Sequence, residues 1–551
     1  MTSHSLLWSR TTLIWAVFLA EAVLLQWAGG AYSSEFGESP DEAAHFVTAL
    51  MVRDYAAAGF PWPPMRFAET YYEHYPKIAL GHWPPVYYLI AAAWMLLWSP
   101  SRVSVLLLQA VIAASWAVLL FQVARRVAPE PLALAAGLSA LALNQTVESI
   151  REVMSDGLVA ALVLAALLLL LRFLETQEVG YAVGFGVATM AGLLTKGSAV
   201  LILTAAPIAA TLSGNSRLFR RGRFWLPFAI AAGGAAPWYL FAPDSLYQRS
   251  LPGGAVGFVY SPHNYLRYLG NCVHGWFEAI GPFVAPFLVA GLILHAAVPL
   301  WRRRRLEPMW AVMASTLPAM VLMYEVVPPS REPRQMMLIL PALLLFAVRG
   351  LRCVFDLRVL ARVPGGLRVW LPALLLPCLL LAGQKRLPPK RESGFGLVAG
   401  YLMADPAGRS GVVLISSDSS GEGALVSEMA MRENRLGHRI LRATKVLSSS
   451  DWTGGNQKLL YSSPQEVQAL LRRAGVRAVV YDEAPYWTPI HHRLVKETLM
   501  TYRDEWRLAA SFSRCRAGCN FPGSLRVYLH QGPPIGSSGT RTVRQLPLAR
   551  R

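Results

Sequence analysis

Two groups of acidic side chains stand beside apolar stretches of the sequence, where carboxylates can act as bases or hold a metal ion. Asp41 and Glu42 follow the first apolar stretch, and the acidic turn 148–156 immediately precedes a later one. Charged side chains next to the hydrocarbon of a membrane are energetically costly and usually serve a function. Two carboxylates on one face of a membrane are the groups needed to deprotonate an acceptor or to organise a metal ion. The structural alternatives are an acid pair that stabilises the first turn of a helix and, for Asp156, a cap on a helix that begins at Gly157.

Histidines add candidate groups to the segment that contains Asp41. His82 precedes Pro84-Pro85 and suits a hydrogen bond to phosphate, metal ligation or simple contact with the membrane interface. His45 lies four residues after Asp41, so both side chains share one helical face. His45 and His74 could hold a divalent metal together with the acids, but dispersed histidines leave that question open.

Basic side chains at the ends of later apolar stretches are candidates for binding an anion. Lys196 stands between two such stretches, where a lysine either reaches toward the interface or binds an anion. Arg331 and Arg334 stand at the mouth of an apolar stretch. Arginine suits two-point recognition of phosphate, and the alternative is a simple anchor at the interface.

The segment around Asp41 is predicted to begin with a helix and to continue in aromatic, proline-rich clusters. Pro40 suits the first position of a helix, and acids in the first turn complement the positive end of the helix dipole. The clusters are 60–64, 71–76 and 82–88. A loop between membrane helices is usually short. This long one, rich in acids, histidines and aromatics, indicates a site that handles a polar substrate at the membrane surface.

Composition identifies an integral membrane protein. Of the 551 residues, 54% are hydrophobic and only 15% charged, and the mean hydropathy is +0.36. The net charge is +19, and basic residues cluster in short connections between apolar stretches. That placement is expected for cytoplasmic loops and for contact with anionic membrane lipids. No nucleic-acid-binding motif accompanies the charge, so membrane lipids and not nucleic acids are the expected partners.

The basic connections predict the topology. Segment 84–98 has tryptophan- and tyrosine-rich ends, which suit a helix that lies in the membrane interface. If this segment does not cross the membrane, all the basic connections fall on the cytoplasmic side. The chain then crosses about eleven times, with its N-terminus inside and its C-terminus outside. Loop 31–102, the acidic turn and Lys196 share the outer face. The apolar segments are 11–29, 84–98, 103–123, 131–147, 157–173, 181–195, 197–212, 224–241, 278–300, 309–327, 335–349 and 369–383.

The composition changes to that of a soluble domain after Gln384, which predicts three parts: a transmembrane domain at 1–383, an α/β domain at 384–531 and a disordered tail at 532–551. Alternating strands and helices are typical of a small α/β domain. The predicted strands are 412–416, 477–481, 508–512 and 525–529, and the predicted helices are 422–433, 464–474 and 491–506. Cys515 and Cys519 would form a disulfide in an extracytoplasmic tail.

Six motifs occur in an order that resembles a known family. They are Asp41-Glu42, Pro84-Pro85-Val86-Tyr87-Tyr88, Asp156, Thr195-Lys196-Gly197, Pro237-Trp238-Tyr239 and the run from Pro333-Arg334 to Pro341. Together they resemble the GT-C superfamily of glycosyltransferases that use polyprenyl-phosphate sugars, and within it the branch of protein O-mannosyltransferases and lipid A aminoarabinose transferases. The likeness covers about 10–350. It implies a polytopic α-helical membrane fold whose long first extracytoplasmic loop carries juxtamembrane helices.

The resemblance also implies roles for the candidate residues. Asp41 would be the base that activates the acceptor, with Glu42 beside it and Asp156 as the second acid of the site. Lys196 and Arg334 would face the phosphate of the donor.

The proline-rich block departs from the family at one position. Pro85 and Tyr88 would shape the donor cavity, but Trp83 stands where relatives often carry lysine. His82 or Lys77 would then supply the positive charge.

The expected function is sugar transfer from a polyprenyl-phosphate donor to an extracytoplasmic protein, lipid or glycan, by direct displacement with inversion. The expected location is the bacterial inner membrane, with the active site and the α/β domain on the periplasmic face. Two other classes are consistent with a polytopic chain. A transporter would show internal repeats and polar residues at the midplane, and a scaffold would not need acids in both loops.

Overall fold

The structure is a computed structural model that describes residues 3–37, 39–79, 81–242, 262–326, 333–357, 364–404, 411–433, 436–449, 457–485, 487–514 and 523–532. Arg331, Cys515, Cys519 and the predicted tail beyond Gly532 lie outside these ranges. The chain forms two compact units. The helical unit comprises Met1–Trp27, Gly81–Tyr87 and Leu106–Leu387, and the mixed unit comprises Ala28–Leu80, Tyr88–Val105 and Pro388–Arg551.

Helices make up most of the described chain. In order they are α1 (Ser3–Ala28), α2 (Pro40–Ala57), α3 (Pro64–His74), α4 (Val86–Leu97), α5 (Arg102–Ala124), α6 (Glu130–Ala142), α7 (Asn144–Ile150), α8 (Asp156–Thr176), α9 (Val179–Leu193), α10 (Leu201–Leu212), α11 (Gly222–Phe241), α12 (Pro262–Ile280), α13 (Ala285–Trp301), α14 (Pro308–Val326), α15 (Leu340–Phe355), α16 (Gly365–Ala382), α17 (Phe395–Ala404), α18 (Ser419–Arg432), α19 (Ala443–Val446), α20 (Pro464–Arg473) and α21 (His492–Thr501).

Five of the described helices are long and apolar enough to cross a membrane. They are Arg10–Ala28, Arg102–Ala124, Asp156–Thr176, Gly222–Phe241 and Gly365–Ala382. Shorter apolar helices account for most of the remaining predicted segments. Helix α4 has 12 residues, which is short of the roughly 20 that span a bilayer and suits the predicted interfacial position. The count of eleven crossings stays a prediction.

Small residues let helices of the helical unit approach closely. Gly291 on α13 faces the backbone of Phe346 on α15, and Gly350 on α15 faces the backbone of Phe287. A β-carbon at either glycine would overlap a carbonyl oxygen. This is the kind of contact by which membrane helices pack without a hydrophobic driving force between them.

The mixed unit contains a five-stranded sheet of order β2-β1-β5-β7-β6. The strands are β1 (Val412–Ser416), β2 (Arg439–Arg442), β5 (Val476–Asp482), β6 (Trp506–Arg514) and β7 (Gly523–His530), with β3 (Ser448–Ser449) and β4 (Lys458–Leu459) forming a separate pair. Strand β1 runs parallel to β2 and β5, and β7 pairs antiparallel with β5 and β6. The predicted α/β character of this part of the chain is confirmed.

One predicted helix of this domain is too long. The helix predicted at 491–506 ends at Thr501, and Trp506 begins strand β6. The buried Trp506 indole donates to Gln468 Oε1 at 2.9 Å, which fixes the strand against α20. The polar turn 502–505 therefore separates helix α21 from strand β6, and the residue pattern alone did not predict this boundary.

The first loop belongs to the same compact unit as the sheet. Helix α2 packs on α18, and α3 lies near β2. Ala43 on α2 is close enough to Gly423 on α18 that a β-carbon at Gly423 would lie 2.9 Å from the Ala43 methyl group. The loop that carries Asp41 is thus folded onto the C-terminal part of the chain.

A buried histidine predicts how pH affects the mixed unit. His491 is fully buried, and its Nδ1 lies 3.1 Å from the hydroxyl of Ser448. Burial, with the neighbouring His492, lowers the pKa of His491 to about 3. Below pH about 6.5 the unfolded chain binds a proton at this position that the folded chain does not bind, so the free energy of unfolding falls as the pH falls from about 6.5 toward 3. His491→Asn keeps a hydrogen-bonding group but does not titrate, so its free energy of unfolding is expected to depend less on pH in this range. Denaturant unfolding followed by tryptophan fluorescence at several pH values would measure the dependence. The same pH dependence in the variant and the wild type would contradict the prediction.

Candidate functional site

Asp41 lies in the first turn of α2, as predicted. The Ser39 hydroxyl caps this helix by accepting from the Asp41 backbone N–H at 3.3 Å, and Pro40 is the first helical residue. Asp41 is half-buried, whereas its neighbour Glu42 is completely buried. The two acids therefore have different environments, and only Asp41 is reachable from outside.

Glu42 is held by two buried cations of the mixed unit. The Arg102 guanidinium donates from Nε and Nη2 to Glu42 Oε1, at 3.0 and 2.9 Å, and Lys390 Nζ lies 3.9 Å from Oε2. Arg102 also donates to the backbone carbonyls of Ala31 and Ser34. A buried carboxylate with this many charged partners ties three parts of the chain together. This geometry suits Glu42 to positioning the turn that carries Asp41.

His45 is held by a contact with Tyr88 that the sequence did not predict. The His45 Nδ1 lies 2.9 Å from the Tyr88 hydroxyl, and both residues are buried. Among the described residues, no group of three or more histidine, cysteine or acidic side chains has the arrangement of a metal site.

Lys77 is an ammonium group in the vicinity of Asp41. Burial and the nearby Arg442 lower the pKa of Lys77 to about 7, against the attraction of Asp41 and Glu422. Its Nζ lies against Gly423, 3.5 Å from where a β-carbon there would be. At neutral pH Lys77 is therefore only partly protonated, and its charge responds to whatever binds beside it.

In the helical unit, Asp156, Lys196 and Arg334 lie close together. Lys196 Nζ lies 2.8 Å from Asp156 Oδ1, and Arg334 Nη1 lies 4.0 Å from Asp156 Oδ2. The side chains of Asp156, Lys196 and Arg334 are 4%, 17% and 13% exposed. Two cations share one carboxylate in a partly desolvated place, where charge-assisted contacts to an anion are stronger than in water.

Local structure explains how these three side chains meet. Asp156 is the first residue of α8 and does not cap it; Ser155 occupies the cap position. Lys196 immediately precedes the short 3-10 turn Gly197–Val200, and Arg334 is in another such turn, Pro333–Leu338. Each side chain thus projects from the end of a helical element, where backbone groups change direction.

An apolar cavity of about 570 Å³ includes in its lining Gly197, the residue that follows Lys196 in the chain. Gly197, Val200, Phe228, Ala235 and Tyr239 are among the residues that line it. The Tyr239 hydroxyl is turned to the carbonyl of Leu193 at 2.7 Å, so the wall that faces the cavity is almost entirely hydrocarbon. A hydrophobic cavity beside a cationic cluster is a complementary environment for an amphipathic anion.

The proline-rich block is anchored to the same region. The N–H of Val86, next to Pro85, donates to the carbonyl of Leu194 at 2.9 Å, and Leu194 lies two residues before Lys196. The His82 ring meets the Trp83 ring edge to face at 4.5 Å. His82 and Pro85 are therefore placed in the helical unit with Lys196.

Three residues that hold these sites were not predicted from the sequence. Gln109 donates to the Tyr87 hydroxyl at 2.7 Å and to the Met154 carbonyl at 2.9 Å, which joins the proline-rich block to the acidic turn. Arg102 and Lys390 hold Glu42. The sequence did contain a signal for Arg102 and Lys390. The predicted topology places both on the outer face of the membrane, whereas lysine and arginine are usually enriched in cytoplasmic loops.

The comparisons with known proteins agree with this architecture. Residues 82–241 match the family described as dolichyl-phosphate-mannose-protein mannosyltransferase. No curated protein matches the chain. Among similar solved structures, ArnT from Cupriavidus metallidurans bound to undecaprenyl phosphate has 13% identity and a TM-score of 0.55, covering 93% of this chain and 97% of that one. The oligosaccharyltransferase of Archaeoglobus fulgidus in complex with zinc and sulfate has 12% identity and a TM-score of 0.53, covering 94% of this chain and 73% of that one.

At these identities the structural likeness concerns the fold. Together with the family match it confirms the resemblance indicated by the motifs: the protein is an integral membrane protein with the fold of the GT-C membrane glycosyltransferases.

Proposed function

We propose that the protein transfers a sugar from a polyprenyl-phosphate carrier to an acceptor outside the cytoplasm. The observation that carries the proposal is the cationic cluster of Lys196 and Arg334 around Asp156, beside an apolar cavity of about 570 Å³. A polyprenyl phosphate has the matching parts, a phosphate for the cations and a hydrocarbon chain for the cavity. The crystallised ArnT, which shares the fold, is bound to such a lipid.

The cations have a chemical task in this reaction. The bond between the anomeric carbon and the phosphate oxygen breaks, and the phosphate on the lipid takes the electron pair. Lys196 and Arg334 stabilise that developing charge in a place where water is largely excluded. Asp156 orients Lys196 because its Oδ1 accepts a hydrogen bond from the Lys196 ammonium group at 2.8 Å.

Asp41 is the proposed base. It removes the proton of the acceptor nucleophile, whose oxygen or nitrogen then attacks the anomeric carbon from the side opposite the phosphate, so the configuration inverts. Asp41 is half-buried, whereas the adjacent carboxylate of Glu42 is enclosed by Arg102 and Lys390. We assign Glu42 to holding the turn and Asp41 to the chemistry.

Other candidate residues receive supporting roles. His45 and Tyr88 stiffen α2 through their hydrogen bond, and Pro85 and His82 shape the donor side of the helical unit. Arg331 is proposed as a second phosphate-facing arginine on its motif alone. We place the reaction at the periplasmic face of a bacterial inner membrane, as the arrangement of basic connections predicts.

Lipid binding tests the carrying observation. Lys196→Gln is expected to weaken binding of undecaprenyl phosphate by roughly tenfold or more, because it removes a charge-assisted contact to the phosphate. Native mass spectrometry of the protein in nanodiscs would measure it, with undecaprenol as the ligand that lacks phosphate.

The matched control is Lys385→Gln, which removes an exposed lysine of the same unit. The proposed phosphate site would be contradicted if Lys196→Gln and Lys385→Gln weakened the binding of undecaprenyl phosphate equally, or if Lys196→Gln left this binding unchanged.

A further inference from the structure

The segment that leads from the last membrane helix to the sheet is bound on both sides within the mixed unit. On the side of the first loop, the Lys390 N–H donates to the Gly29 carbonyl at 2.8 Å, and Lys390 Nζ approaches Glu42. The Ser393 hydroxyl donates to Glu35 Oε2 at 2.8 Å, and the Ser393 N–H donates to the same oxygen at 3.2 Å. The segment thus contacts the loop both just before α2 and within its first turn.

On the side of the sheet, the same segment is held by a buried ion pair. Arg514 Nη1 donates to the Ser393 carbonyl at 3.2 Å, and its Nε lies 3.4 Å from Asp482 Oδ2. The Arg514 guanidinium also lies over the Phe395 ring, 4.7 Å from its centroid. Arg514 and Asp482 are almost completely buried. A continuous series of polar contacts therefore connects the sheet to the first loop.

The position of this ion pair in the sheet is informative. Asp482 ends β5, and the hydroxyl of Ser417, which follows β1, donates to its Oδ2 at 2.6 Å. In open α/β sheets the crevice at the carboxyl ends of neighbouring parallel strands is where ligands commonly bind. Here Arg514, Ser393 and Phe395 of the chain itself occupy that edge. The edge serves as a docking place for the connecting segment.

A second contact from the same domain holds the backbone next to Lys77. Glu422 in the first turn of α18 is buried and accepts from Arg442 Nε at 3.0 Å, and Arg442 Nη1 donates to the Pro76 carbonyl at 3.3 Å. Pro76 precedes Lys77, so this pair fixes the backbone that places the ammonium. The groups that act electrostatically on Lys77 are Asp41, Glu422, Arg442 and Lys445.

We propose that the α/β domain is a positioning device for the Asp41 turn: Arg514 and Asp482 act through Ser393 and Lys390 on Glu42 and its neighbour. Arg514 is a positioning residue and touches no substrate. The catalytic meaning of the coupling rests on the proposed function, whereas the coupling itself is a property of the folded chain. Because these charges are buried, removal of one partner leaves the others uncompensated and loosens the connection.

Amide hydrogen exchange tests the coupling without any substrate. In the full-length protein in nanodiscs, Arg514→Gln is expected to raise exchange in residues 40–50 roughly tenfold, with little change in residues 464–473 of the same domain. Arg514→Lys, which keeps the charge beside Asp482, is expected to retain most of the protection. The matched control is Arg526→Gln, which breaks the exposed pair of Arg526 and Glu483 at 2.9 Å.

Unchanged exchange in 40–50, or an equal rise in 464–473, would overturn the proposal, since the latter indicates general destabilisation. If Arg514→Gln does not fold, Ser393→Ala tests the same connection with a smaller expected rise, because it removes the hydroxyl contact to Glu35 but keeps the backbone N–H contact and the strands. With a working transfer assay, Arg514→Gln should lower kcat roughly tenfold at an unchanged KM for the donor. If the wild type shows no sugar transfer, the proposed function is contradicted, but the hydrogen-exchange result still tests the coupling.

Discussion

Replacement of Asp41 by asparagine is expected to lower the rate of sugar transfer by roughly 10²- to 10⁴-fold, the usual contribution of a general base. Asparagine has nearly the same shape but cannot accept the proton of the acceptor. It leaves the backbone N–H that donates to Ser39 unchanged, so the helix keeps its cap. The lipid phosphate should bind to this variant as it does to the wild type, because its proposed contacts are Lys196 and Arg334.

Asp54 on the same helix provides the matched control. Its carboxylate accepts from the Tyr71 hydroxyl at 2.8 Å and lies 3.0 Å from Arg53 Nε. Asp54→Asn is expected to change transfer by no more than a few-fold. Transfer by Asp41→Asn at the rate of Asp54→Asn would refute the assignment of Asp41 as the base.

Loss of Arg102 is expected to have the largest effect on stability. Arg102→Met leaves the carboxylate of Glu42 buried without its closest cation, since Lys390 is 3.9 Å away. Breaking a buried ion pair from one side usually costs about 3–5 kcal/mol. Denaturant unfolding in detergent would measure the loss, and the double variant Arg102→Met with Glu42→Gln should recover part of it because the uncompensated charge is gone.

Arg126→Gln is the comparison for this stability measurement. Arg126 pairs with Glu175 at 2.8 Å, but both side chains are 30% exposed, and exposed pairs contribute about 0–1 kcal/mol. Equal destabilisation by the two substitutions, or a double variant less stable than Arg102→Met, would contradict the buried network around Glu42.

The elements of the fold were largely predictable because local patterns determine them. Pro40 and the acids after it mark the start of α2, and the buried run 412–416 is a strand at the predicted residues. The order of the motifs predicted the GT-C fold. The turn at 502–505 was missed, because a helical pattern continued into Trp506, whose place is set by a contact with Gln468 in another helix.

The candidate sites were predictable only in part. Lys196, Arg334 and Asp156 were each singled out, and the structure joins them. The environment of Glu42 was not predictable, since Arg102 and Lys390 lie 60 and 348 positions further along the chain and only tertiary packing brings them near. For the same reason the packing of the first loop against the sheet had no signal in either segment alone.

The most direct test of the proposed function is transfer of radiolabelled sugar from a panel of undecaprenyl-phosphate sugars by the purified protein in liposomes that contain cell-envelope acceptors. We expect that one donor labels an acceptor, that undecaprenyl phosphate is released in equal amount, and that the anomeric configuration of the product is inverted. Direct displacement is contradicted if folded protein that binds undecaprenyl phosphate does not release this lipid from any donor of the panel. It is also contradicted if the product keeps the anomeric configuration of the donor.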